Sequence, residues 1–152
     1  MEFNYISIYA AAILVLLLIP NIIYAFKFKG SYNHCTNRLM NILEQIGRYG
    51  SFILMLVPLG VGEFGFSSAG GLIIYAFGSA AIMLAYWIVW AMYFHRVTSA
   101  RAMLLAILPV VLFTQCAVTL RHWLLLAFTA VFAVGHIYIT AVNSVAGDKE
   151  QA

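Results

Sequence analysis

Long apolar runs broken by short polar punctuation set the pattern of this chain. From residue 4 to residue 26 nothing is charged, and Lys27 and Lys29 follow at once. A helix rises 1.5 Å per residue, so about 20 apolar residues cross a hydrocarbon core ~30 Å thick. The run therefore predicts a first membrane span over 4–26. Uncharged runs likewise predict spans over 72–94, closed by His95 and Arg96, over 102–120 behind Arg101, and over 123–142 after a tight reversal at Arg121-His122. Between them, residues 27–36 read as a polar connection and 64–71 as a Gly/Ser loop. The 97–100 connection offers a Ser or Thr cap for the next helix. A solvated tail is expected over 144–152.

The stretch NRLMNILEQIGRYGS, residues 37–51, changes this picture. The uncharged run after Arg48 ends near residue 62 and is too short to cross by itself. A second span over about 43–62 must therefore take Glu44, Gln45 and Arg48 into the membrane with Leu43 and Ile46. Arg38, Asn41, Gln45 and Arg48 recur at i, i+3, i+7 and i+10, which places them on one helical face with Glu44 beside them. Leu39, Ile42, Leu43 and Ile46 take the other side. Glu44 and Arg48 form an i,i+4 pair with the acid first, the better orientation. Gly47 and Ser51 would let a neighbouring helix approach closely. The expected fold is thus an all-α integral membrane protein, five transmembrane helices in one compact bundle.

Composition agrees with the pattern: 64% of the 152 residues are hydrophobic and 9% charged, against about 45–50% and 25% in soluble domains. The net charge of +3 comes from basic residues flanking apolar runs, so it speaks for topology rather than for nucleic acid. With the first connection inside, Lys27, Lys29, Arg38, Arg48, Arg96, Arg101 and Lys149 face the cytoplasm and Arg121 alone lies outside. The positive-inside rule then puts the amino terminus outside and the carboxy terminus in the cytoplasm. Glu2 ahead of the first run, with lysines after it, argues against a cleaved signal peptide. Cys35 and Cys116 have no C-x-x-C partner, and no structural disulfide is expected.

In that orientation Asn21, Glu44, Gln45, Arg48, His136 and Asn143 reach a similar depth in the cytoplasmic half. Polar residues inside a membrane are by default a functional-site hypothesis, because lipid offers them no partner. They are either glue that fixes helix register or a binding site open to the cytosol. Asn21, next to Pro20, either patches the carbonyl that the proline frees or bonds to another helix. Lys27, Lys29, Arg38, Arg96 and Arg101 are candidate contacts for anionic lipid. Tyr86, Trp87, Trp90, Tyr93 and Phe94 read as an interfacial belt, or else as an aromatic ligand groove. Gln115, Thr119 and His122 recur as a polar seam, as do Thr129, His136, Thr140 and Asn143.

A lone His136 without a second ligand at metal spacing makes a poor metal site, and no cofactor is implied. Gly60, Gly62 and Gly65 spell G-x-G-x-x-G, but a membrane helix precedes them where the dinucleotide motif needs a strand. Nucleophile elbows, Walker loops and H-E-x-x-H are missing.

The segments IPNIIYA (19–25), NILEQIGRYG (41–50), AILPVVLF (106–113) and GHIYIT-x-x-N (135–143) resemble a group of small multispanning bacterial inner-membrane proteins without an assigned activity. The resemblance covers nearly the whole chain and implies a bacterial cytoplasmic membrane. It carries no catalytic residue. Expected partners are the bilayer and other membrane proteins or further copies of the chain. Two functions compete: a non-enzymatic component, either an interaction subunit or a small transport-related bundle, and a membrane-embedded enzyme acting on a lipid or isoprenoid. In the enzyme, His136 or Glu44 would be acid/base and Arg48 or Arg38 would hold a headgroup.

Overall fold

The computed structural model describes residues 2–27, 33–57, 59 and 65–151; Lys29, Pro58, Gly60, Gly62 and Glu63 lie outside the described residues. Those described form helices joined by short connections, with no strand among them. They are α1 (Glu2–Lys27), α2 (Arg38–Leu56), α3 (Ala69–His95, with a wide turn over Ile74–Gly78), α4 (Ser99–Thr119) and α5 (Trp123–Gln151). The tail expected past residue 144 continues α5 as helix to Gln151. Ala146, Lys149, Glu150 and Gln151 are good helix formers, and Gly147 alone does not stop the run.

Side-chain caps set the helix starts. The Asn37 side chain accepts from the N–H of Leu39 and Met40 at 3.1 and 3.3 Å. Ser68 accepts from Gly71 at 3.2 Å, so α3 begins three residues before the expected position 72. Thr98 caps α4 through the Arg101 N–H. Each satisfies a donor that a first turn leaves without an intrahelical partner.

The rods alternate in direction. α1 and α3 run parallel: the Tyr9 hydroxyl donates to the Ala76 carbonyl at 2.7 Å, and at the other end the Lys27 ammonium lies 5.4 Å from the centre of the Phe94 ring. α2 and α5 run antiparallel in tight contact, with Gly50 against Phe128, Gly47 against Phe132 and Gly135 against Glu44. Lys27, Arg38, Arg96 and Arg101 consequently gather at one end of the bundle, and Arg121 sits at the opposite end.

Four helices, α1, α3, α4 and α5, are long and apolar enough to cross a membrane. The expected second span is not among them. α2 ends at Leu56 instead of running to 62, and within its 19 residues Asn41, Glu44, Gln45 and Arg48 dilute the apolar ones. Its faces are inverted relative to a soluble helix. Glu44, Gly47 and Ser51 are buried, while Leu39, Ile42, Ile46, Tyr49 and Ile53 are exposed at i, i+3, i+7, i+10 and i+14.

Pro20 removes the N–H that would bond the Leu16 carbonyl. That carbonyl accepts from the Trp87 indole of α3 at 3.1 Å, so the patch comes from another helix and not from Asn21. The wide turn in α3 is served in a similar way: Gln115 of α4 donates to the Ile74 carbonyl at 2.7 Å, and Tyr9 and Ser79 occupy those of Ala76 and Tyr75. Gln115, Thr119 and His122 are therefore no seam. Gln115 serves α3, Thr119 donates back to the Gln115 carbonyl, and His122 caps α5.

His122 is 1% exposed, and its Nδ1 accepts from the Leu125 N–H at 3.3 Å. Burial pushes its pKa below the ordinary histidine value, partly opposed by a hydrogen bond that the ring donates to the Leu54 backbone. An imidazole kept neutral in the fold is protonated preferentially in the unfolded chain, so stability falls as pH drops below about 6.5. Thermal melts of the protein in detergent between pH 8 and 5 should show this fall. A His122→Asn variant, which keeps a capping acceptor but cannot titrate, should flatten it.

Candidate functional site

The half of the bundle nearer the basic end holds a cavity of about 560 Å³ to which all five helices contribute. α1 gives it Leu17, Asn21 and Tyr24; α2 gives Arg48 and Phe52. α3 supplies Tyr86, Trp90 and Tyr93, α4 supplies Ala102, Ala106 and Phe113, and α5 supplies Phe132, His136, Thr140 and Asn143. Pro109 of α4 also lies on the wall. The cavity reaches the end of the bundle at His34 and at the Val97–Ser99 connection.

Glu44 is the hinge of its polar side. It is 3% exposed and pairs with Arg48 one turn away on α2 and with His136 of α5, whose Nδ1 lies 3.3 Å from Oε1. The two glycines explain how a carboxylate reaches both partners. A Cβ at Gly135 would fall 2.6 Å from the Glu44 backbone nitrogen, and one at Gly47 would fall 2.3 Å from that of Phe132. Only hydrogen at these positions lets the backbones come so near. His136 is further fixed by stacking on Phe132, with ring centres 4.6 Å apart. Glu44 itself stands behind the wall, while Arg48 and His136 line the cavity.

On the opposite side the Asn21 amide donates both to the Leu17 carbonyl and to the Tyr86 hydroxyl, each at 2.7 Å. Asn21 thus bonds across helices, the second of its two expected roles. Asn143 also lines the cavity, and its Oδ1 accepts from the His34 N–H at 2.9 Å, tying the segment before α2 to the end of α5.

Gln45 does not join this group. The face of α2 turned to α5 is centred on Glu44, Gly47 and Ser51, and a 100° step from Glu44 turns Gln45 outward, where it is exposed. Thr129, expected in a stripe with His136, is buried outside the cavity and donates to the Leu125 carbonyl. Of the basic candidates, Arg38, Arg96 and Lys27 are exposed at the bundle end. Arg101 is committed to structure: its Nη1 donates to the Met92 and Arg96 carbonyls at 2.8 and 2.7 Å, closing the C-terminus of α3.

The aromatic wall is the part that sequence reasoning undervalued. Tyr86 and Trp90 are 2% and 6% exposed and face the cavity with Tyr93 and with Tyr24 of α1. Only Trp87, at 38%, keeps the exposure of a belt residue. Periodicity does not separate them, since Tyr86, Trp90 and Tyr93 stand at i, i+4 and i+7 while Trp87, Trp90 and Phe94 stand equally at i, i+3 and i+7.

Glu44 and His136 have no third His, Cys, Asp or Glu beside them among the described residues. Cys35 and Cys116 are both buried and free, with Cys116 packed in the apolar core. What the fold and the chamber define is a helical protein of the membrane class. Comparison of the chain with models of protein families, with curated proteins and with solved structures finds no match.

Proposed function

We propose that this protein is a non-enzymatic membrane component that binds a small ligand in the chamber between its five helices, as a transport-related bundle or as the binding subunit of a larger assembly. The observation that carries this reading is the chamber itself. Its volume of about 560 Å³ falls within the roughly 300–1,000 Å³ typical of ligand pockets. Its wall combines aromatic and aliphatic side chains with polar groups such as Asn21, Arg48 and His136, the usual composition of a site that orients a ligand. The Glu44 pairs hold α2 against α5, so glue and site are here two faces of one cluster.

The inverted faces of α2 support its lying at membrane depth beside α5. Its apolar stripe suits lipid, and its polar groups have partners only inward. The gathering of Lys27, Arg38, Arg96 and Arg101 at one end of the bundle favours that end as cytoplasmic and the amino terminus, at the other end, as external. The resemblance of segments 41–50 and 135–143 to small bacterial inner-membrane proteins favours a bacterial cytoplasmic membrane.

The test is a thermal-shift screen of the purified full chain against a broad library of metabolites and lipids, with flux assays in reconstituted vesicles. At least one compound should raise the melting temperature by mass action, and Ala106→Trp, which fills the chamber, should abolish the shift. Neither stabilisation nor flux would sink the reading. The contact between Glu44 and His136 favours one competitor, a lipid-modifying enzyme using His136 as base. An unchanged lipid profile in cells carrying His136→Ala or Glu44→Gln would count against it.

A further inference from the structure

Two basic side chains share one carboxylate at the wall of the chamber, and that sharing fixes the charge the chamber can take. Glu44 contacts both Arg48 and His136, yet it stands behind the wall while they line it. Arg48 is the one arginine or lysine among the described lining residues, and no Asp or Glu is among them. With His136 neutral, Glu44 and Arg48 cancel. With His136 protonated, two cations meet one carboxylate, and the wall carries one positive charge without a counter-charge.

Neither an anion nor a proton suits the empty chamber by itself, because each leaves an unmatched charge where the dielectric is low. Together they cancel. A neutral imidazole that gives its Nδ1 proton to Glu44 keeps Nε2 as an acceptor, so His136 has a place for the proton. Its side chain is 24% exposed and that of Arg48 36%, which leaves both within reach of a ligand. The other titratable groups on the wall are Tyr24 of α1, Tyr86 and Tyr93 of α3 and His34 ahead of α2, and α4 presents none. Phenols stay neutral near pH 7, and His34 belongs to the exposed mouth. The rings of Tyr24, Tyr86 and Tyr93 gather around Trp90, with centres 5.4, 6.2 and 5.6 Å from its own. Such a wall suits a flat apolar body.

We propose that the chamber binds a monoanionic aromatic acid together with one proton, the acid group at Arg48 and the proton on His136. The cluster then ends as neutral as it began, with Glu44 and the ligand negative and Arg48 and His136 positive. The proton comes from water or from the acid form of the ligand, and no other bond changes. By linkage, the proton raises affinity for the anion by the same factor as the anion raises affinity for the proton. This rests on the chamber being a binding site.

Titration calorimetry on the full chain in detergent, repeated in buffers of different ionisation enthalpy, counts the protons taken up per ligand. Three probes share one ring system: 2-naphthoate and naphthalene-2-sulfonate are monoanions, and 2-naphthamide is neutral. Near pH 7.5 each anion should bind at one site with about one proton taken up, and the amide should bind more weakly with none. Affinity for the anions should fall several-fold from pH 7 to pH 8, with about tenfold as the limit for one proton. His136→Gln, which can still donate an amide N–H to Glu44 but cannot titrate, should lose the uptake and bind the anions about tenfold more weakly. Should that variant fail to fold, the sulfonate decides: a strong acid cannot hold the proton itself, so uptake with it places the proton on the protein.

Binding of either anion without proton uptake, uptake that survives in His136→Gln or disappears in His34→Gln, or an amide as tight as the anions would each overturn the coupling while leaving the chamber a binding site. If none of the three probes binds, the ligand class is likewise overturned. The chamber reading then stands or falls on its own library screen.

Discussion

Gly47→Ala is expected to destabilise the protein more than any other single-methyl addition on α2. The new Cβ would sit 2.3 Å from the Phe132 nitrogen and 2.5 Å from its Cα. These are backbone atoms of a helix, and they can yield only if α2 and α5 move apart along their whole contact. Overpacking typically costs about 1–3 kcal/mol, and here the upper end is expected because no flexible side chain can absorb the clash. Gly135→Ala, meeting the Glu44 nitrogen at 2.6 Å, should behave alike. The double variant should cost less than the sum, since one separation of the helices relieves both clashes. Gly50→Ala meets only the Phe128 ring, which can swing aside, and should be milder. Reversible unfolding in mixed detergent measures all four; a Gly47→Ala protein as stable as wild type would show that the helices are not in this contact.

Glu44→Leu carries the second large effect. It strips the shared carboxylate from both Arg48 and His136 and leaves a guanidinium against the chamber with no counter-charge. Breaking a buried pair from one side costs about 3–5 kcal/mol. The lower end applies here because the Arg48 side chain is 36% exposed and solvent screens part of the charge. Arg48→Leu should also destabilise, through the unmatched Glu44, but the double variant Glu44→Leu/Arg48→Leu should recover much of the loss. Strong coupling in this cycle identifies the pair as part of the framework of the chamber. Strict additivity would show that the two residues act independently and would remove Glu44 as the hinge of the site.

Several features were legible in the linear chain because they depend on near neighbours. Runs of uncharged residues gave the four apolar helices, and the i,i+4 spacing gave the Glu44–Arg48 pair. The alternation of rods brought Asn21, Arg48, His136 and Asn143 to one chamber, as their similar distances from the basic connections implied. The length arithmetic for α2 carries the helix to 62, but it ends at Leu56 and is too polar to count among the long apolar helices. In the fold, α2 buries Glu44, Gly47 and Ser51 and leaves Leu39, Ile42, Ile46, Tyr49, Ile53 and Leu56 exposed. Gln45 shares a helical face with Arg48, so the spacing alone turns it inward. Which way that face turned depended on a partner sixty or more residues away.

By itself, then, the sequence determined a helical chain of membrane composition, the Ser/Thr cap ahead of α4, and an acid placed one turn before an arginine. Each follows from local chemistry: backbone donors at helix starts, apolar length against bilayer thickness, and side chains one turn apart. Tertiary structure alone decided that Gly47 and Gly135 bring Glu44 to His136, that Trp87 answers the carbonyl freed by Pro20, and that Trp90 faces a chamber instead of a headgroup layer. Those outcomes depend on close approach between residues distant in the chain, and no local periodicity encodes which two surfaces will meet.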